Sequence, residues 1–298
     1  VERAASLREH LRIAGMGDTT ARHFRDKLAM RMVARENGIP VPDFLHILNH
    51  KKINEFADTV PFPYMIKPRL LAGSYGLKKV NNKQEMWDRI NYLADEQSFF
   101  LMERFIPGNI YHVDTIINDR KIVFGLASKY GTPPFEVAHQ GRVFTSKTLD
   151  SKSEEAKEVL DLNAKVLKAL GLLRGVSHSE FIRAEDGKLY FLETSARVGG
   201  ANLSSLVEAA TRINLWREWA KIEILNGEKP YVLPKVTNDF AAIITSLSKQ
   251  EWPDLDAYIE PEVWWRLKKA YHAGLIIKSS SQERITQLVD EYTKRFYN

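Results

Sequence analysis

An Asp186-Gly187 pair between two alternating segments is the feature that most constrains this chain. Asp-Gly is a strong signal for a two-residue hairpin turn, because both central residues must accept a positive φ. Such a turn makes residues whose numbers sum to 373 face each other, which would place Glu180 directly opposite Glu193. Directly opposed like charges destabilise a sheet, since their Cβ atoms lie only about 5 Å apart. A cation between the two carboxylates would relieve this repulsion, so the sequence predicts a divalent-metal site.

The same face of the predicted hairpin carries further polar groups. The pairing places His178 opposite Ser195, and the period of two puts Arg197 on that face. A Gly199-Gly200 pair and a helix start follow, and such helix N-termini bind phosphates through unpaired backbone N–H groups. Hard carboxylate oxygens suit Mg²⁺, which prefers few protein ligands together with substrate phosphates. The alternative is an exposed hairpin whose glutamates point to water.

The composition narrows the class of protein. With 298 residues and 44% hydrophobic content, the chain is long enough for two or three compact units. The absence of cysteine excludes disulfides, thiolate catalysis and thiolate zinc sites, and favours a cytoplasmic location. No apolar run approaches the ~18 residues of a membrane span, so no membrane partner is expected. The net charge of +5 comes without a concentrated basic stripe, which argues against a nucleic-acid partner.

A second candidate site surrounds Lys67, at the end of a predicted strand before Pro68. The small-residue loop Ala72–Gly76 (AGSYG) follows it. A lysine beside a glycine-containing loop is typical of a nucleotide-phosphate site, although a surface lysine is an equally good interpretation. The loop does not fit the P-loop pattern, and the chain lacks the His-Arg-Asp and Asp-Phe-Gly motifs of protein kinases.

Taken in order, these pieces resemble the ATP-grasp superfamily, whose ligases sandwich ATP between two α+β subdomains. The resemblance covers about residues 25–225. It rests on five ordered blocks, which are specific together but not singly: Asp26-Lys27 with Gly38-Ile39-Pro40-Val41-Pro42, Ile66-Lys67-Pro68 with its AGSYG loop, Met102–Gly108 (MERFIPG), Glu180, and Glu193–Gly200 (ETSARVGG). It implies an α+β ATP-grasp fold, to which we expect a small C-terminal β-α-β-α unit to be added.

The resemblance also implies roles for individual residues. For ATP, the resemblance implies that Lys27 and Lys67 contact the phosphates and that the loop residues Gly73, Ser74 and Gly76 cap them. It also implies an adenine hinge from Glu103 to Ile106, in which the Arg104 C=O and the Ile106 N–H contact the base edge. For Mg²⁺, with Mn²⁺ as an alternative ion, the implied ligands are Glu180, Glu193 and Ser195. For catalysis, the implied residues are Arg197, Gly199 and Gly200, which would steady the acyl phosphate and the transferred phosphoryl group.

This chain departs from the family pattern at two places. Ser195 stands where the family commonly has Asn, so one metal ligand is shorter, and His178 or water would substitute for it. Asn109-Ile110 follows the hinge, where relatives often carry an acidic ribose contact. His112 and Asp114 alternate on the next predicted strand, where they line the substrate side or are structural.

We expect four parts: residues 1–26 as a remnant or linker helix of an N-terminal domain, 27–98 as the small ATP-grasp subdomain, 99–235 as the large one, and 236–298 as the C-terminal unit. Because the chain begins with Val1 inside a predicted helix, we expect it to be truncated.

Local sequence patterns predict four further segments. They are one helix from just after Thr20 to near Gly38, a mobile loop from Gly131 to Arg142, one helix from about Asn202 to Leu225, and a helix from Pro261 to Ala270.

The expected activity is that of an ATP-dependent ligase. ATP phosphorylates a small-molecule carboxylate, and an amine then attacks the acyl phosphate, with release of ADP and phosphate. One alternative is a biotin carboxylase-like enzyme, and another is a nucleotide-binding module without catalysis of its own. The sequence identifies neither substrate and leaves homo-oligomerisation open.

Overall fold

A computed structural model describes residues 1–226 and 228–297. Gly227 and Asn298, the latter the predicted end of the C-terminal unit, lie outside the described residues. The chain divides into two compact units, the first formed by residues 1–108, 165–171 and 180–194 and the second by the remainder. The mixture of helices with antiparallel sheets confirms the predicted α+β class. The finer four-part division stays a prediction.

The helices are α1 (Glu2–Leu11), α2 (Asp18–Arg22), α3 (Lys27–Glu36), α4 (His50–Thr59), α5 (Lys83–Leu93), α6 (Pro134–Gln140), α7 (Glu154–Leu170), α8 (Leu203–Thr211), α9 (Leu215–Leu225) and α10 (Gln282–Tyr297), with a 3₁₀ turn at Ala94–Phe99. The strands are β1 (Phe44–His46), β2 (Tyr64–Pro68), β3 (Lys78–Val80), β4 (Phe100–Arg104), β5 (Gly108–Asn118), β6 (Lys121–Tyr130), β7 (Phe144–Thr148), β8 (Gly175–Ala184), β9 (Leu189–Ser195), β10 (Phe240–Leu247), β11 (Val263–Arg266) and β12 (His272–Ser279). None of these helices is both long and apolar enough to cross a bilayer.

The first unit is built on a four-stranded sheet of order β1-β4-β2-β3. Its core joins apolar side chains of β2 and β4 to those of α4 and α5, for example Ile66 and Met102 with Ile53 and Met86. Strands β2 and β4 are antiparallel, with Met65 opposite Glu103 and Lys67 opposite Leu101. Lys67 and Glu103 are therefore diagonal neighbours on one face, close enough for long side chains to meet.

The predicted single helix from Thr20 to Gly38 is wrong, because α2 ends at Arg22 and α3 begins at Lys27. Asp26 interrupts the helix: its backbone is extended, and its carboxylate accepts a hydrogen bond from the Leu28 N–H at 3.0 Å. Asp is a favoured N-cap for this reason. The Arg69 Nε donates to the same carboxylate at 3.1 Å, and the Lys27 N–H donates to the Arg69 C=O. These bonds fix Lys27 at the first position of α3.

The hairpin of β8 and β9 forms, but its turn differs from the predicted one. The Ala184 N–H donates to the Lys188 C=O, and the Gly187 N–H donates to the Ala184 C=O. The loop therefore has three residues, and of the Asp-Gly pair only Gly187 has a positive φ, of 85°. The rings of Phe181 and Phe191 lie 5.9 Å apart, as this register requires.

The predicted pairing of residues whose numbers sum to 373 is therefore wrong at the turn end of the hairpin. The predicted pairings of Glu180 with Glu193 and of His178 with Ser195 lie farther along the strands and stay predictions.

The larger sheet has the strand order β11-β12-β10-β7-β6-β5-β8-β9. Strands β6, β7 and β10 to β12 lie wholly in the second unit, whereas β8 and β9 are divided between the units after Ser179 and Thr194. Strand β10 is buried on both faces: Ile243 belongs to a core with α8 and α9, and Ile244 belongs to a core with α10. Burial on both faces explains why β10 reads as a continuous apolar run.

The C-terminal prediction needs correction. Residues Val263–Arg266 form strand β11 and not a helix, and β11 pairs with β12 in antiparallel register. Strand β10 pairs with β12 on one side and with β7 on the other. In place of the expected β-α-β-α unit, described residues 236–297 contain three strands and one helix, and the strands continue the larger sheet.

Two other local expectations also differ from the structure. The predicted helix from Asn202 to Leu225 is two helices, because Arg212 adopts a left-handed conformation and Asn214 caps α9 by accepting from the Arg217 N–H at 2.9 Å. The predicted loop from Gly131 to Arg142 contains the short helix α6.

Gly108 is the position in the first unit where a side chain is least tolerable. Its φ is +156°, and a Cβ built there would lie 2.0 Å from the Arg183 carbonyl oxygen. We expect Gly108→Ala to destabilise the protein by about 2 kcal/mol or more beyond the strain of a positive φ, because overpacking against backbone cannot relax through a side chain. Chemical denaturation measures this free energy of unfolding.

The matched control is Gly38→Ala, where φ is +68° but no atom lies within 4 Å of the added Cβ. This variant should lose only about 1–2 kcal/mol through backbone strain. Equal losses in the two variants would contradict the close approach of Gly108 to Arg183.

Candidate functional site

A buried carboxylate between two cations forms the centre of the site in the first unit. Glu103 on β4 and Lys67 on β2 are both buried, and the Lys67 Nζ forms an ion pair with Glu103 Oε1. Arg31 on α3 is fully buried, and its Nε and Nη2 lie 2.9 and 2.8 Å from Glu103 Oε2. The Arg31 Nη1 donates to the Leu192 C=O on β9. Arg31 thus connects helix α3 with strands β4 and β9.

Lys27 connects a second carboxylate, that of Glu193, to these residues. Its Nζ lies 2.9 Å from Glu193 Oε2 and also donates to the Leu71 C=O in the loop after β2. We call Lys27, Arg31, Lys67, Glu103 and Glu193 the charged cluster. It contains three cations and two carboxylates, and therefore carries a surplus of one positive charge that suits an anionic ligand.

The sequence placed Lys27, Lys67, Glu103 and Glu193 in candidate positions, and the structure brings them together. Sequence reasoning missed Arg31. Its spacing of four residues from Lys27 places both side chains on one helix face, but this spacing indicates neither the burial of Arg31 nor its ion pair with Glu103.

Burial and neighbouring charge set the protonation states of the charged cluster. Burial lowers the pKa of Lys67 most; Glu103 raises it, Arg31 lowers it further, and the result is about 8. Burial alone would raise the pKa of Glu103, but the charges of Arg31 and Lys67 outweigh this and hold it below its usual value. For Glu193, the charges of Lys27 and Lys67 likewise outweigh burial and lower the pKa. Both carboxylates are therefore ionised at neutral pH.

The predicted phosphate-capping loop connects β2 to β3. Gly73, Ser74 and Gly76 all have positive φ, of 70°, 60° and 74°. Gly73 is exposed, and Ser74 and Gly76 are half-buried. The loop begins directly after the residues that hold Lys27, since Leu71 and Arg69 accept hydrogen bonds from its Nζ and its backbone N–H.

The predicted adenine hinge leaves β4 after Arg104. The Arg104 and Phe105 N–H groups donate to the Asp43 and Pro63 carbonyls at 2.8 and 2.9 Å. Within the described residues the Ile106 N–H makes no hydrogen bond. A half-buried donor of this kind, next to strand-bound neighbours, is what recognition of a base edge requires.

The remaining predicted metal ligands are divided between the units. Glu180 lies on β8 in the first unit and is half-buried. Ser195, also half-buried, ends β9 and belongs to the second unit. The shared role of these residues with Glu193 stays a prediction.

The predicted catalytic segment Arg197–Gly200 lies in the second unit, between β9 and α8. Arg197 is half-buried, and its Nη1 donates to the Val198 C=O at 2.8 Å. Gly199 is buried, Gly200 is exposed, and the Gly200 C=O accepts from the Leu203 N–H at the start of α8.

Three buried groups of the second unit lie against this segment. The His112 Nδ1 and the His178 Nδ1 each lie 3.0 Å from a different oxygen of the Asp114 carboxylate. A Cβ built on Gly199 would lie 2.8 Å from the His178 Nδ1. These are the three residues whose roles the sequence left undecided.

Comparison with known proteins identifies the family. The ATP-grasp_3 family, described as an ATP-grasp domain, matches residues 24–201, which is more than half of the chain. The chain therefore belongs to the ATP-grasp family, and the resemblance stated from the sequence is confirmed.

Two of the similar proteins are L-amino acid ligases. The chain is 28% identical over 234 residues to an L-arginine-specific L-amino acid ligase of Bacillus subtilis, covering 76% of this chain and 56% of that protein. The crystal structure of an L-amino acid ligase from Bacillus licheniformis matches with a TM-score of 0.71 at 18% identity, covering 98% and 77% of the two chains.

A biotin carboxylase domain of Hydrogenobacter thermophilus 2-oxoglutarate carboxylase, in complex with MgADP, ADP and bicarbonate, matches with a TM-score of 0.70 at 16% identity, covering 96% of this chain and 69% of that one. At such identity these structures establish the fold. The chain spans roughly half the length of the curated relatives it matches.

Glu103→Gln tests the electrostatic centre of the cluster. The substitution removes the carboxylate that pairs directly with both Arg31 and Lys67 and leaves Glu193 as the one carboxylate of the charged cluster, so we expect a loss of about 3–5 kcal/mol in the free energy of unfolding at pH 7. The deficit should shrink towards pH 9. The usual pKa of a lysine is 10.5, whereas that of Lys67 in the folded protein is about 8, and removal of the Glu103 charge lowers it further. Folding of the variant therefore releases a proton, which costs less as pH rises.

Denaturation curves at pH 7, 8 and 9 measure this trend. The control is Glu55→Gln, whose side chain is 61% exposed and lies 3.9 Å from Lys51; it should cost less than about 1 kcal/mol at any pH. A similarly small loss for Glu103→Gln would show that the buried ion pairs are not needed for stability.

Proposed function

We propose that the protein is an ATP-dependent ligase that joins a small-molecule carboxylate to an amine through an acyl phosphate. The observation that carries the proposal is the charged cluster, in which two lysines meet a hinge carboxylate and the hairpin carboxylate Glu193 in a member of the ATP-grasp family. The similarity to an amino acid ligase over 76% of the chain supports the reaction type.

The first unit supplies the nucleotide contacts in this proposal. Lys27 and Lys67 neutralise the phosphates, and the Gly73–Gly76 loop caps them with backbone N–H groups. The Ile106 N–H, which makes no hydrogen bond within the described residues, and the Arg104 C=O read the adenine edge. Glu103 holds Lys67 in place, so it sits behind the phosphate-binding lysine as well as at the start of the hinge.

The donor set fits a magnesium ion. Glu193 is held ionised by neighbouring cations, and hard carboxylate oxygens with few protein ligands are what Mg²⁺ prefers. Glu180 and Glu193 would hold the ion together with Ser195, and the biotin carboxylase domain with MgADP bound supports this choice. When bound, Mg²⁺ supplies neutralisation of phosphate charge. Mn²⁺ remains an alternative with the same ligand preference.

The reaction needs little covalent chemistry from the protein. A carboxylate oxygen of the substrate attacks the γ-phosphorus of ATP and ADP leaves, and the amine nitrogen then attacks the acyl carbon and releases phosphate. Arg197 and the Gly199-Gly200 backbone would steady the transferred phosphoryl group, an electrostatic and positioning role. Cytoplasmic location and homo-oligomerisation remain predictions.

The decisive experiment is a coupled ADP-release assay on the full-length gene product, with amino acids supplied in pairs and L-arginine included. We expect release that requires both a carboxylate and an amine. Glu193→Gln should lose turnover by about 10²-fold or more while keeping ADP binding, because transition-state charge loses its stabilisation. Glu185→Gln, at the exposed turn of the same hairpin, is the matched control and should behave as wild type.

Three results would overturn parts of the proposal. Unchanged turnover in Glu193→Gln would remove this residue from the metal site. ADP binding with no acceleration by any substrate pair would favour a nucleotide-binding module. Release driven by bicarbonate would favour a carboxylase.

The lowered pKa of Lys67 gives a pH dependence for nucleotide binding. Lys67 loses its charge as pH rises through about 8, so ADP affinity should fall above that value by up to about tenfold per pH unit. Arginine stays protonated in this range, so Lys67→Arg should bind ADP with little change between pH 7 and 9. Isothermal titration at pH 7, 8 and 9 measures both; equal slopes would exclude Lys67 as the titrating contact.

A further inference from the structure

Four polar side chains of the second unit form a continuous buried chain, which we call the Asp114 relay: Ser146, His112, Asp114 and His178. His112 and His178 lie 3.0 Å from Asp114 Oδ2 and Oδ1 through their Nδ1 atoms. The His112 Nε2 lies 2.7 Å from the Ser146 Oγ. All four are buried: His112, Asp114 and Ser146 are 0% exposed and His178 is 9% exposed.

The hydrogen-bonding chemistry fixes the direction of these contacts. Burial alone would raise the pKa of Asp114, but the charge and hydrogen bonds of His178 and His112 outweigh it and hold the pKa well below the usual range. An ionised carboxylate only accepts hydrogen bonds, so both histidines donate through Nδ1. Each oxygen of Asp114 therefore holds one imidazole ring.

The relay supports the backbone of the predicted catalytic segment. A Cβ built on Gly199 would lie 2.8 Å from the His178 Nδ1, closer than real Cβ contacts allow, and 3.1 Å from Asp114 Oδ1, which is tighter than most. The Gly199 backbone therefore passes next to the hydrogen bond between Asp114 and His178, with no room for a side chain between them.

We propose that the Asp114 relay is a positioning device for Arg197–Gly200 in the ligase reaction, an inference that rests on the proposed function. The relay connects β7, β5 and β8 to the segment that steadies the transferred phosphoryl group. Asp114 and His178 act through the backbone of Gly199 and are positioning residues. Their contribution is to hold the donors of this segment still while charge moves to the phosphoryl oxygens.

The test compares Asp114→Asn with a matched variant on the neighbouring residue. Asn has one side-chain oxygen where Asp has two, so it cannot accept a hydrogen bond from both imidazoles. The substitution therefore removes the support of Gly199 but keeps the side-chain volume. We expect kcat to fall by about 10²-fold, the cost of a displacement near 1 Å. KM for ATP should stay within about threefold, because the nucleotide contacts belong to the first unit.

The control is Thr115→Val, adjacent on β5 and on the opposite face. It removes the buried hydrogen bond at 2.9 Å between Asn163 and Thr115 without touching the relay. It should lower Tm as Asp114→Asn does but leave kcat unchanged. A Gly199→Ala variant should reproduce the loss of kcat, and combining it with Asp114→Asn should add little, because both changes break the same contact.

A second readout does not depend on ligase activity. Hydrogen exchange of the amides of residues 197–200 should be faster in Asp114→Asn than in wild type and Thr115→Val. If no substrate pair drives ADP release in wild type, the ligase proposal fails, and the exchange result still decides whether the relay supports this segment.

Three outcomes would overturn the relay. They are unchanged exchange in folded Asp114→Asn, equal losses of kcat in Asp114→Asn and Thr115→Val, and a stoichiometric divalent metal in purified protein that is lost with Asp114. The last would identify His112, Asp114 and His178 as metal ligands instead.

Discussion

The arrangement of the first unit depends on one buried carboxylate shared by two cations. Glu103 is 4% exposed, and transferring it from water would be costly unless Arg31 and Lys67 offset the loss of hydration. The ion pair between Arg31 and Glu103 holds α3 against β4, and the hydrogen bond from Arg31 to the Leu192 C=O holds α3 against β9. Lys67, which we propose to contact phosphate, is held by the same carboxylate, so the electrostatics that stabilise this buried centre also orient the groups proposed to receive ATP.

Motif order predicted the parts of the site that lie in short, chemically distinctive segments. Lys27, Lys67, Glu103 and Glu193 each belong to a recognisable block, and the structure gathers them. The hairpin was predicted in place but not in register. The loop has one more residue than predicted, with Gly187 alone of the Asp-Gly pair at positive φ, and this changes the pairing at the turn end of the hairpin. Register depends on turn geometry that the Asp-Gly pair does not settle.

Arg31 and strand β11 show what sequence patterns leave out. Arg31 reads as an ordinary polar residue of an amphipathic helix, since its partner lies 72 residues away. Its burial is decided by a tertiary ion pair and not by local periodicity. Residues Val263–Arg266 read as helical, but the open edge of β12 offers backbone partners that local propensity cannot foresee. In both cases a distant contact overrides the local preference.

Each of the two units contains a buried carboxylate that is stabilised by two donor side chains. Glu103 is held by Arg31 and Lys67, and Asp114 by His112 and His178, so each buried carboxylate has two donors on separate elements. A carboxylate whose two oxygens both accept hydrogen bonds has little freedom to move, and the donors that it holds are restricted in the same way. Phosphoryl transfer gains most from donors that need no reorganisation as charge develops. Paired buried carboxylates are therefore a physical basis for positioning in the ligase reaction that we propose.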